Sequence, residues 1–281
     1  MKILLAGTPT FALATFKAII THFDVVGIIS QPDRKTGRKM VLTATPVSLL
    51  AKEHNIPLYQ PEKIADLYET LQTLDFDLFI TMAYGQIIPE KILHLAKKLA
   101  LNVHASLLPK YRGAAPIQYA LWKGEQVTGI TLMQMEKKMD SGPILFQAQL
   151  AIAPEDNADR LHEKLSALAA GKIVDWLNLI AQDQFQLIPQ NHQLATFAPK
   201  ILPVDEIISW DTMSNTTNKI RALSTQPGAY FINPINNERI KVFAVTDEPV
   251  NNAVLIRCMD GLLFATSYQI AGRKRIDLKI K

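Results

Sequence analysis

Short apolar runs and amphipathic stretches take turns along the first two thirds of the chain, and this alternation constrains the fold more than any other feature. Lys2 to Ala6 reads as a buried strand that turns at Gly7-Thr8-Pro9, and Phe11 to Thr21 carries apolar residues at helical spacing. Val25 to Ser30 is a second buried strand. Pro46 to His54 reads as a helix with proline in its first turn, and Lys63 to Leu74 as another. Leu78 to Ala83 and Ala100 to Val103 add strands, Ala115 to Lys123 a helix, Gly129 to Met135 and Ile144 to Ala153 further strands. Ala158 to Ala181 is a long amphipathic helix with Leu161, Leu165, Leu168, Val174 and Leu177 near one side. The alternation predicts an α/β fold: a Rossmann-like, doubly wound, mostly parallel sheet covered on both faces.

The pattern changes near Phe185. Gln, Asn, His, Pro and Thr dominate to Pro203, and after Asp205 one helix (Thr216 to Leu223) and short strands separated by turn residues remain. The division this predicts is a larger α/β domain over 1–186, a linker over 187–203, and over 204–281 a smaller C-terminal β-barrel, OB-like in its run of short strands. With 281 residues the chain is long enough for two such domains.

A hydrophobic share of 48% and a charged share of 20% are those of an ordinary globular protein, and no apolar run approaches the ~20 residues that span a bilayer. The apolar start is too short and too soon followed by Lys17, His22 and Asp24 for a signal peptide, so it reads as the first strand. Cys258 is the only cysteine, which excludes an internal disulfide, fits a cytoplasmic location and reads as a buried small hydrophobe. His22, His54, His94, His162 and His192 show no ligand spacing with cysteine or acids, so no metal is expected. The net charge of +4 permits a polyanionic partner, and its distribution is uneven. Arg34, Lys35, Arg38 and Lys39 crowd one stretch of a long polar segment, Gln31 to Thr45, read as a loop.

The chemistry-bearing residues sit where strands give way to turns, the place where open α/β sheets bind ligands. Gly7-Thr8-Pro9-Thr10-Phe11 has one glycine and a badly placed proline, which argues against a dinucleotide. Asn102 and His104 share parity on a strand end, so both point to one side and both can donate to one developing oxyanion. Ser106-Leu107-Leu108-Pro109 follows as a proline-stiffened loop, and Asp140 lies just after a strand in a Met-Asp-Ser-Gly-Pro turn, from which it can orient the imidazole. A carboxamide, an imidazole and a carboxylate without an obvious nucleophilic serine suit a tetrahedral oxyanion formed and collapsed with proton transfer and no covalent enzyme intermediate.

Asn102-Val103-His104-Ala105-Ser106-Leu107-Leu108-Pro109, continuing through Tyr111-Arg112-Gly113, resembles the core motif of the folate-dependent formyltransferases, and Met139-Asp140-Ser141-Gly142-Pro143 resembles the segment that holds their catalytic aspartate. Three segments resemble the branch that acts on tRNA: Gln31 to Lys39, its basic loop, with Arg38 at the key arginine; Ala83 to Pro89, its folate-pocket segment; and Ile220 to Leu223 with Pro227-Gly228-Ala229, the start of its C-terminal domain. The resemblance implies transfer of the formyl group of 10-formyltetrahydrofolate to the α-amino group of methionyl-initiator-tRNA, for translation initiation. It implies catalysis by Asn102, His104 and Asp140, and folate contacts from Ser106, Leu107, Leu108, Pro109, Tyr84, Gly85 and Ile87. It further implies tRNA contacts from Arg38, Lys35 and Lys39, no metal, no membrane, and action as a monomer. Two alternatives stay open: N-formylation of an amino-sugar nucleotide, which uses the same catalytic residues, and RNA binding without catalysis.

Overall fold

The structure, a computed structural model, describes residues 1–37 and 40–278. A seven-stranded sheet organises the first compact unit. Its strands are β1 (Lys2–Gly7), β2 (Asp24–Ile29), β5 (Leu58–Tyr59), β6 (Leu78–Met82), β7 (Leu99–His104), β8 (Val127–Gln134) and β9 (Ile144–Ala151). Between β2 and β5 lies a separate hairpin, β3 (Arg34–Thr36) and β4 (Val41–Thr43). The sheet order is β5-β2-β1-β6-β7-β8-β9. The pairs from β5 through β7 are parallel, and β8 runs antiparallel to β7. β1 and β6 are central and covered on both faces, and their near-continuous apolar runs (Ile3, Leu4, Leu5; Leu78, Phe79, Ile80) are wholly buried.

Because the strand order reverses at β1, the carboxyl ends of β1 and β6 flank a topological switch point. Helices α1 (Leu13–His22), α2 (Pro46–Glu53), α3 (Tyr68–Gln72) and α4 (Glu90–Leu93) make the crossovers. α2 starts where the sequence signals: Thr45 caps it by accepting from Ser48 N at 3.0 Å, and Pro46 fills the first turn. Lys63 to Leu74, read as one helix, is instead a 3₁₀ turn (Ile64–Leu67) followed by α3.

Gln31 to Thr45 holds the β3–β4 hairpin rather than a bare loop. Its strands are three residues long and exposed, so no burial alternation marks them in the sequence, although Thr36, Val41 and Thr43 favour strands and Gly37 begins the turn at φ +69°. Asp33 ties the base of the hairpin to the body of the unit, accepting from Gln60 Nε2 (2.7 Å), Thr45 N (3.3 Å) and Ser48 Oγ (3.3 Å). These bonds, Gln60's first, hold its carboxyl below the usual aspartate range.

The remaining helices are α5 (Pro116–Trp122), α6 (Ala158–Ala181) and α7 (Met213–Leu223), and the remaining strands β10 (Ala229–Ile232), β11 (Arg239–Thr246), β12 (Val254–Cys258), β13 (Gly261–Ile270) and β14 (Ile276–Asp277). On α6, Leu161, Leu165, Ala169, Ile173, Leu177 and Ile180 form one buried stripe.

Two compact units interleave along the sequence: 1–112, 129–150 and 163–196 form one, and 113–128, 151–162 and 197–281 the other. Segments 113–128 and 151–162, which sequence reading places within 1–186, thus cluster with the C-terminal strands. Periodicity identifies elements but not the surface each one covers. In the second unit α5 lies against α7, with Lys219 Nζ 4.9 Å from the Trp122 ring centroid. The strands form an antiparallel path β10-β11-β13-β12, with β14 beside β13; among the described residues no ladder joins β10 to β12. Register shifts along β11 break its pairing with β13, as β-bulges do. Cys258 sits in this unit's core with Ile220, Leu223, Val242 and Leu263, and burial pushes its thiol pKa up. Among the described residues no helix is long and apolar enough to cross a membrane.

Candidate active site

Strand register builds the site. Thr81 at the end of β6 faces Asn102 on β7, and His104 faces Thr131 on β8. Thr81 Oγ1 donates to Asn102 Oδ1 at 2.8 Å, which turns the Asn102 Nδ2 hydrogens toward Asp140 Oδ1, 3.5 Å away. That amide orientation is the one a carboxylate requires, because a carboxylate oxygen only accepts.

His104 is buried, at 6% exposure. Its Nε2 lies 2.9 Å from the carbonyl oxygen of Tyr111, which can only accept, so Nε2 carries a proton. Nδ1 then faces Asp140 Oδ2 across 3.7 Å. A neutral His104 presents a lone pair at Nδ1; an imidazolium presents a second N–H to the same place, next to a carboxylate. Asp140 reaches the site because the chain doubles back after β8: Gln134 N donates to Pro143 O at 2.9 Å and closes the turn. Asp140 itself is held at φ +51°, a left-handed conformation uncommon for a residue other than glycine.

The turn Ser106 to Pro109 is packed rather than open. Ser106 and Leu108 are buried, Thr131 Oγ1 donates to Ser106 O (2.6 Å), and Leu108 O accepts from Gln147 Nε2 (2.9 Å). Tyr84, Gly85 and Ile87 follow β6. Tyr84 is buried, its hydroxyl has no hydrogen-bond partner among the described residues, and burial pushes its pKa up to about 12, whereas Ile87 is 78% exposed. A cavity of about 480 Å³ lies between α4 and the segment after β8, lined by Leu93, Leu99, Ala100, Gln134, Met135 and Lys138 among others. Ala100 precedes Asn102 by two residues on the same face of β7, and Lys138 precedes Asp140 by two. The structure therefore gathers Asn102, His104 and Asp140 at strand ends, with Tyr84 and the turn at 106–109 on neighbouring strand ends. Lys35 stands exposed on β3, and Arg38 and Lys39 lie outside the described residues.

Sequence reading did not single out Thr81, which sets the Asn102 amide, or Gln190, which lies in the stretch read as linker yet is buried. Thr81 carries a weak signal, a polar residue in an apolar strand; Gln190, in a polar and aperiodic stretch, carries none. Among the described residues no three His, Cys, Asp or Glu side chains gather as a metal site.

Comparison places this Rossmann-like sheet among the one-carbon group transferases: the chain belongs to the formyl transferase family, whose N-terminal domain matches residues 1–177 and whose C-terminal domain matches residues 200–280. Its full-length relatives include methionyl-tRNA formyltransferases. That of Mycoplasmopsis pulmonis is 45% identical over 280 residues, covering 99% of this chain and 96% of the relative. That of Staphylococcus epidermidis is 40% identical, covering 99% and 94%. Among solved structures, a sugar 3N-formyl transferase crystallised with dTDP and 5-N-formyl-THF superposes with a TM-score of 0.70 at 20% identity, covering 98% of this chain and 99% of that one. The N-formyltransferase of Helicobacter canadensis, in complex with folinic acid and dTDP-3-aminofucose, superposes with a TM-score of 0.69, also at 20% identity, covering 97% and 96%. At that identity the two structures speak for the fold.

Proposed function

We propose that this chain transfers the formyl group of 10-formyltetrahydrofolate to the α-amino group of methionyl-initiator-tRNA, the modification that prepares the initiator for translation in the cytoplasm. The observation that carries the reading is the meeting of Asn102, His104 and Asp140 at the strand ends of a chain 45% identical, over nearly its whole length, to a methionyl-tRNA formyltransferase.

The amine attacks the formyl carbon, a C–N bond forms, and negative charge develops on the formyl oxygen. The Asn102 amide, oriented by Thr81, donates to that oxygen. His104 Nδ1 accepts the proton the attacking amine must lose, and the imidazolium so formed is stabilised by Asp140 and becomes a second donor to the oxyanion. Collapse breaks the bond to the folate nitrogen, which takes the proton from His104. His104 thus serves as base first and as donor only once protonated, because Nε2 is already committed to the Tyr111 carbonyl.

The pterin head is assigned to the cavity beside Ala100, which Gln134 to Lys138 help to line, with Tyr84, Gly85 and Ile87 after the neighbouring strand and the turn Ser106 to Pro109 as its further contacts. Ala100→Phe fills that cavity. It is expected to raise the KM for the formyl donor at least tenfold while leaving the Kd for methionyl-tRNA within about twofold, measured by steady-state kinetics and filter binding. An unchanged donor KM places the folate elsewhere.

The first compact unit, which reaches to residue 196, supplies the chemistry, and the strands after 204 supply further surface for the tRNA, with the enzyme acting as a monomer. The acceptor arm is held by the basic hairpin, where exposed Lys35 stands beside exposed Met40, Val41 and Leu42, an apolar edge suited to a terminal base. Arg38→Ala is expected to lower kcat/KM for methionyl-tRNA by at least tenfold without changing donor affinity. Lys35→Ala and Lys39→Ala are expected to weaken tRNA binding and flatten its salt dependence by roughly one unit of slope per lost phosphate contact. The deciding assay offers purified enzyme and formyl donor three acceptors: methionyl-tRNA, free methionine and an amino-sugar nucleotide. Formylation of the first alone bears the proposal out; preference for the sugar nucleotide, or no transfer at all, refutes it.

A further inference from the structure

We propose that Gln190 is a positioning residue for Asp140, the middle link of a buried brace that runs from the Tyr111–Arg112 backbone to the aspartate turn. The inference rests on the catalytic reading of Asp140 given above and extends it to a residue outside the strand-end motif.

Gln190 is 6% exposed, and its amide is fully used. Nε2 donates to the carbonyl oxygens of Asp140 (3.0 Å) and Gly142 (2.7 Å), clamping the turn from both sides of Ser141. Oε1 accepts from Arg112 Nε (3.1 Å) and Nη2 (2.6 Å). Arg112 is 3% exposed, and its Nη2 also lies 3.0 Å from His192 Nδ1. A guanidinium so buried is tolerated only when its donors are matched, so Arg112 is a fixed post rather than a mobile cation.

The residue before it fixes the other half of the pair. Tyr111 O receives His104 Nε2, and Tyr111 N and Arg112 N both donate to Thr196, to its Oγ1 and its carbonyl, at 2.9 Å each. One dipeptide therefore locates His104 directly and Asp140 through Gln190. Only a surrounding that over-determines it keeps Asp140 in its left-handed conformation. Gln190 supplies that constraint through the main-chain carbonyls of Asp140 and Gly142.

The test compares the full-length enzyme with Gln190→Met, which keeps the side-chain length and loses the amide, and Gln190→Glu, which keeps an acceptor for Arg112 and loses both donors to the turn. Each variant is examined alone and in an Asp140→Ala background, with melting temperatures recorded. Both single variants should lower kcat roughly ten- to a hundredfold, with KM for donor and methionyl-tRNA within about twofold, since displacement of a catalytic group by about 1 Å costs on that order. In the Asp140→Ala background either substitution should change kcat by less than about twofold, because the group being positioned is gone. A purely structural role gives additive losses, and a role confined to neutralising Arg112 lets Gln190→Glu recover normal turnover; either result overturns the brace. If Gln190→Met does not fold, Gln190→Glu, with Arg112 still paired, decides alone. Should Asp140→Ala itself retain near-normal kcat, the catalytic assignment falls first and takes the brace with it, whereas an inactive Asp140→Ala beside fully active Gln190 variants overturns the brace alone.

Discussion

Asn102→Ala, His104→Ala and Asp140→Ala are each expected to cut kcat for formyl transfer by roughly 10²–10⁴, with the fold intact by circular dichroism and the KM for methionyl-tRNA nearly unchanged. The three act on one tetrahedral species, so the losses are not additive: His104→Ala combined with Asp140→Ala should be little worse than the worse single variant. The geometry sets an order within the trio. His104 carries both proton transfer and oxyanion donation, and its loss should cost the most. Asp140 acts across 3.7 Å on the protonated imidazole, so Asp140→Asn, which keeps shape but removes charge, should retain more activity than His104→Ala. Near-normal turnover from any two of the three alanine variants contradicts the assignment.

Gly142→Ala is the second large effect. A β-carbon at Gly142 would stand 2.1 Å from the carbonyl oxygen of Gln134, on the opposite limb of the turn that carries Asp140. Backbone cannot yield as a flexible side chain does, so the turn must open. The expected cost is roughly 2–4 kcal/mol of stability, at or above the upper range for overpacking, seen as a melting temperature lowered by several degrees. Opening the turn also breaks the Gln134 N to Pro143 O bond and withdraws Asp140 from His104, so kcat should fall by about 10² or more even well below the melting temperature. Ser141→Ala, next along, loses only the hydroxyl's bond to Lys138 O and should be mild, which separates a steric effect at Gly142 from general sensitivity of the turn.

Much of the architecture was legible because the physics behind it is local. Parallel strands buried on both faces must be apolar throughout, so Lys2 to Ala6 and Leu78 to Ala83 announce themselves, and the stripe on Ala158–Ala181 follows from helical period alone. The proposed trio stands out in the sequence for another reason: Asn102 and His104 sit on one distinctive run of residues and Asp140 on another. What escaped reading has no local signature. The paired strands Arg34–Thr36 and Val41–Thr43 are exposed throughout, and Gln190 is buried inside a polar, aperiodic stretch. Assignment of 113–128 and 151–162 to the second unit depends on which surfaces meet, and chain order does not encode that.

The amino-acid sequence by itself determined the fold class, through residue type and periodicity, and the family, through the resemblance of its distinctive segments; it also nominated Asn102, His104 and Asp140 as the groups for formyl transfer. Only the tertiary structure decided how those groups are arranged. It paired Thr81 with Asn102 across adjacent strands and thereby aimed the amide. It spent His104 Nε2 on the Tyr111 carbonyl and so left Nδ1 facing Asp140, and it carried Gln190 back fifty residues to hold the turn at Asp140. Directional contacts between distant segments exist only after packing has set distances to tenths of an ångström, and hydrogen bonds lose their worth steeply beyond that tolerance.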